Sequence, residues 1–94
     1  MSTDPTFRMT VAEVFAIEGL GTVAAGHIDL GTIKQYDTVW VHGSDGAVKT
    51  GVAFIHSGGK GVKSAAAGQA VGLVLRGLPL ERVHVGNVVS ASGS

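Results

Sequence analysis

The segment Gly19-Leu20-Gly21-Thr22-Val23-Ala24-Ala25-Gly26-His27-Ile28-Asp29-Leu30-Gly31-Thr32-Ile33-Lys34 consists of short apolar runs punctuated by glycines. β-Branched residues favour extended backbone, and glycine at this frequency interrupts any helix within about two turns. This part of the chain therefore reads as short strands joined by tight turns. The same argument disposes of a cofactor reading. Gly19-x-Gly21-x-x-Ala24 fits a dinucleotide fingerprint, and Asp37 lies near the distance at which an acidic residue would meet the ribose. A pyrophosphate site, however, needs its third small residue inside a helix whose N-terminus faces the phosphates, and Thr22, Val23 and Gly26 deny that helix.

A chain of 94 residues, 45% of them hydrophobic, can bury one core but not two, so a second catalytic domain is not expected. Residues 1–6 are polar and contain Pro5, which reads as a flexible leader, with a single domain over 7–94. Fifteen glycines beside two prolines point to many short strands with tight connections. With one Trp, one Tyr and three Phe, the core must be built from Val, Ile, Leu and Ala, which suits a narrow barrel interior. The formal charge of zero argues against holding nucleic acid mainly by phosphate neutralisation, although it leaves room for a local basic patch. There is no cysteine, hence no disulfide framework and no thiolate chemistry. No basic start precedes an apolar stretch, and no apolar run is long enough to span a bilayer, so a cytoplasmic protein without membrane association is expected.

Along the chain, Phe7, Met9 and Val11 alternate with Arg8, Thr10 and Ala12, and the phase then slips so that Val14 and Phe15 are adjacent, which predicts a bulge near Glu13. Gly19 to Gly21 forms a turn into a strand over Thr22 to Asp29. Thr38 to His42 is a strand closed by Gly43-Ser44-Asp45-Gly46, where Asp-Gly signals a hairpin, and Val48 to His56 is its partner. Ser57-Gly58-Gly59-Lys60-Gly61 reads as the most flexible stretch and a natural contact surface. Gln69 to Leu75 places Val71, Leu73 and Leu75 on one face and Gly72, Val74 and Arg76 on the other. Gly77 to Val83 reads as a turn or one helical turn, and Asn87 to Ala91 as the last strand. Together these predict an all-β fold, a small closed antiparallel β-barrel of about six to seven strands.

Few residues carry a catalytic signal. His27, His42, His56 and His84 lack the spacings that put two imidazoles on one face of one element, so no metal site is expected. Ser44, Ser57, Ser64 and Ser90 have no strand-to-helix elbow and no evident His and acid partners. Gly58-Gly59-Lys60-Gly61 lacks the full spacing and the following helix of a phosphate loop. No enzyme activity and no cofactor are therefore expected. Lys49, Lys60, Lys63, Arg76 and Arg82 all fall in the second half, an asymmetry that could orient an anionic partner or simply form a solvated face.

Val11-Ala12-Glu13-Val14-Phe15, Gly19-x-Gly21-Thr22-Val23, Gly26-His27-Ile28, Gly31-Thr32-Ile33-Lys34, Gly51-Val52, Ala67-Gly68-Gln69-Ala70-Val71-Gly72-Leu73-Val74-Leu75-Arg76-Gly77 and the closing Gly86-Asn87-Val88-Val89 resemble, in order and spacing, the second domain of elongation factor Tu and related translational GTPases. The resemblance covers nearly the whole chain and implies a β-barrel that follows a GTP-binding domain and receives the aminoacylated end of transfer RNA. It implies no GTP binding or hydrolysis by this chain alone. Two positions depart from the pattern: Leu20 stands where the family has an arginine, and Ala53 where an acidic residue commonly follows Gly-Val. Arg76 keeps its place in Leu75-Arg76-Gly77.

The reading that follows is a non-catalytic β-barrel binding module with RNA or a ribosome-associated partner, contacted through Leu20, Lys60, Lys63 and Arg76. The alternative is a protein-interaction module, in particular a homodimer, joined through an apolar patch of Leu20, Trp40 and Val62.

Overall fold

The computed structural model describes residues 6–44 and 46–91. Most of the expected leader, Asp45 of the expected Asp-Gly turn, and residues 92–94 lie outside the described residues. Phe7 is already buried.

The strands are β1 (Arg8–Ile17), β2 (Gly21–Leu30), β3 (Thr32–Lys34), β4 (Thr38–Gly43), β5 (Gly46–Ser57), β6 (Lys60–Val62), β7 (Ser64–Ala66), β8 (Ala70–Leu75) and β9 (Val88–Ser90). The main sheet runs β4-β9-β1-β2-β8-β5-β6, and a further pairing of β4 with β5 closes the first six into an antiparallel barrel, leaving β6 as an added strand on β5. Closure removes the exposed edges that a flat sheet of this length would carry. β3 and β7 form a separate two-stranded ribbon. Leu80–Arg82 is a single 3-10 turn, as the sequence suggested for that segment.

The barrel interior is packed with Met9, Val11, Ile28, Val39, Val41, Val52, Ile55, Val71, Leu73, Leu75 and Val89, so the aliphatic composition does fill a narrow barrel. The phase slip in β1 is a bulge: Val11 pairs with Gly26 and Glu13 with Ala25, which leaves Ala12 as the extra residue. Gly26 is required there. A Cβ at that position would collide with the Thr10 carbonyl oxygen and crowd the Ala12 amide, so the two strands meet at the bulge only because no side chain intervenes. β5 carries a second bulge at Ala53, between the Val52–Leu75 and Phe54–Val74 pairs.

Three further segments bear on the outer surface. The stretch from Ser57 to Gly61 is a hairpin tip: β5 runs to Ser57, β6 begins at Lys60, and only Gly58 and Gly59, both with positive φ, form the turn between them. The small-residue segment Ser64–Ala66 is a strand, paired residue for residue with Thr32–Lys34. Val62 packs against the core and Trp40 is half-buried beneath Lys49, whose Nζ lies 5.8 Å from the ring centroid, so an outward patch of Leu20, Trp40 and Val62 does not form.

Candidate functional site

The strand alternation that fills the barrel also builds its outer surface. Val14, Ala24, Leu73 and Ile55 point inward, so their neighbours Phe15, Val23, Val74 and Phe54 point outward. The register sets these four side by side across four strands: Phe15 pairs with Val23, Val23 with Val74, and Val74 with Phe54. Although they lie outside the core cluster, Val23 and Val74 are 1% and 0% exposed, while Phe15 and Phe54 at the ends of the row are 39% and 44% exposed. Two half-open aromatic rings thus flank a closed aliphatic floor.

The next row on the same face is Glu13, Ala25, Gly72 and His56. Its two middle members are the smallest side chains available, so the surface sinks between the outer ones. The result is an open groove of about 390 Å³ whose walls and floor include Phe15, Val23, Ala25, Gly72, His27 and His56. Gly58 and Gly59 of the β5–β6 turn close one end, and Lys60 follows them directly. Among the described residues no group of three or more His, Asp or Glu side chains is placed to hold a metal ion, although His27 and His56 share this groove.

The four residues singled out from the sequence fall into two pairs. Thr22 pairs with Leu75, which sets Leu20 and Arg76 at one end of the β2–β8 ladder. Both are exposed, and the strand end beneath them is tied down by hydrogen bonds from Thr50 Oγ1 to the Arg76 carbonyl and from the Arg76 amide to the Gly51 carbonyl. Lys60 pairs with Ser57, whose hydroxyl donates to the Ala70 carbonyl at the other end of β8. Lys60 and Lys63 are exposed, and the Lys63 carbonyl accepts a hydrogen bond from the Gln35 amide. The groove ends at the turn that leads into Lys60. Lys34, exposed and opposite Ser64 on the β3–β7 ribbon, adds a cation to that side which the charge asymmetry along the sequence did not single out.

Phe15 and Phe54 were also missed. The signal was present: Val74 stands on the face of its strand opposite Val71, Leu73 and Leu75, and an aliphatic residue on a nominally outer face needs something to cover it.

No protein-family model matches the chain. Over 91 residues, 97% of the chain, it is 41% identical to elongation factor Tu 2 of Streptomyces avermitilis, and it spans 23% of that protein's length. Its fold matches the crystal structure of translation elongation factor SelB from Methanococcus maripaludis, determined with the GTP analogue GppNHp, with a TM-score of 0.85 and 28% identity over 99% of this chain and 20% of that one. The stretch shared with these proteins is a β-barrel segment, not a GTPase domain.

Proposed function

We propose that this chain, a homologue of the β-barrel segment of elongation factor Tu, is a non-catalytic module that takes a single-stranded RNA end in the groove outside β1, β2, β8 and β5. The observation that carries the reading is the outer row Phe15, Val23, Val74 and Phe54. Exposed aromatic rings beside an aliphatic floor accept unstacked bases, because every base has a flat face to stack. Lys60 beside the neighbouring Gly58-Gly59 turn, with Lys63 after β6 and Lys34 on β3, supplies the phosphate contacts that position the strand. A surface of this kind needs no cofactor, and the barrel itself binds no GTP. The domain over 7–94 acts in the cytoplasm, where translation factors work, and among the described residues no helix is long and apolar enough to cross a membrane.

The half-exposed Phe15 and Phe54 also favour a second reading, in which the same face joins two copies of the chain. Salt separates the two. Affinity for a short unstructured RNA oligonucleotide should fall steeply as salt rises and should drop again in Phe15→Ala, with the protein monomeric throughout. A protein that is dimeric by sedimentation, holds together at high salt and ignores the RNA would replace the first reading with the second.

A further inference from the structure

Tyr36 is the only non-glycine residue with positive φ among the described residues, at 76°, and it is 71% exposed. A bulky side chain is disfavoured in left-handed backbone, which persists only where the surroundings impose it. The surroundings do so here. The Tyr36 amide donates to the Val52 carbonyl, the Asp37 amide to the Lys34 carbonyl, and the Val52 amide to the Asp37 carbonyl. The Asp37 carboxylate accepts from the Lys34 amide, and Gln35 Nε2 donates to the carbonyl of the bulged Ala53. The turn is thereby laid along the edge of β5 between its β4-paired and β6-paired parts, two residues from Phe54. Nothing in the core uses the ring, and glycine or asparagine would hold the same turn at less strain.

Resting on the RNA reading above, we infer that Tyr36 is a stacking platform for a further base of the bound strand, continuing the aromatic row beyond Phe54. Charge points to RNA and not to an apolar partner. Exposed Lys34 immediately precedes the turn, and exposed Lys63 belongs to the segment whose backbone carbonyl accepts from the Gln35 amide. Two lysines are thus carried by the segments that build the turn and are available to the phosphates of a stacked strand.

Tyr36 is the sole tyrosine of the chain, so its ring resonances report directly. On titration with a short unstructured RNA oligonucleotide, those resonances should move upfield as a base stacks on the ring. Tyr36→Gly should raise the melting temperature, because it relieves the left-handed strain, while weakening RNA affinity about five- to 150-fold, the range that one lost stacked base covers. Tyr36→Phe should bind as tightly as the parent protein. If the parent binds RNA and Phe15→Ala weakens it, but Tyr36→Gly binds unchanged, this inference falls and the RNA reading stands. If the parent binds no RNA, both fall. A Tyr36→Gly variant that melts lower than the parent would contradict the strain from which the inference starts.

Discussion

Val23 and Val74 face each other across β2 and β8 on the outside of the barrel, yet they are 1% and 0% exposed. Their burial comes from Phe15 on one flank and Phe54 on the other, each in direct register with its valine. The barrel therefore carries a small second apolar layer on its outer surface. Removing two methyl groups from that layer should cost as much as removing them from the interior. Val74→Ala is expected to lower stability by about 1.5–3 kcal/mol in urea unfolding. A loss below about 0.5 kcal/mol, ordinary for surface substitutions, would contradict the layer.

Gly26→Ala should destabilise by at least about 1–3 kcal/mol, since the added methyl meets the Thr10 carbonyl, a backbone atom that cannot swing away. Amide exchange should locate the effect, with protection falling first around the Ala12 bulge and its neighbours in β1 and β2.

Thr22 donates its hydroxyl to the Leu78 carbonyl at 2.6 Å in a buried setting, tying the segment before the 3-10 turn to the start of β2. Thr22→Val keeps the shape and leaves that carbonyl without its donor, at an expected cost of about 1–3 kcal/mol. The measurement is the shift in urea midpoint at unchanged slope.

Lys60→Ala combined with Lys63→Ala should reduce the dependence of log affinity on log salt by about 1.4, twice the value of about 0.7 per phosphate contact on single-stranded nucleic acid. Arg76→Ala, at the far end of β8, should leave that slope unchanged. Equal effects from both ends would place the strand along the barrel instead of at the groove.

The architecture was legible because strand alternation and turn chemistry agree in this chain. Phe7, Met9 and Val11 announce the inner face of β1, the slip at Val14 and Phe15 announces the bulge, and Val71, Leu73 and Leu75 announce β8. The β3–β7 ribbon was not legible. Ser64–Ala66 is made of residues with little strand preference, and it is held extended by pairing with Thr32–Lys34, a long-range contact that no local pattern encodes. The outer aromatic row beside the groove escaped for a related reason. Phe15, Val23, Val74 and Phe54 are far apart in sequence, and only the register of three separate strand pairs lines them up. Lysines are conspicuous in a nearly neutral sequence, whereas two phenylalanines blend with the expected core.

The most direct test is a titration of isotope-labelled protein with an aminoacylated acceptor-stem RNA, following backbone amide and phenylalanine ring signals at low and moderate salt. Saturable shifts centred on Phe15, Val23, Gly72, Val74 and Phe54 and reaching Lys60, Lys63 and the Tyr36 turn, fading as salt rises, are the predicted result. Shifts confined to the Leu20 and Arg76 end, or none at millimolar RNA, would contradict the groove as the RNA site.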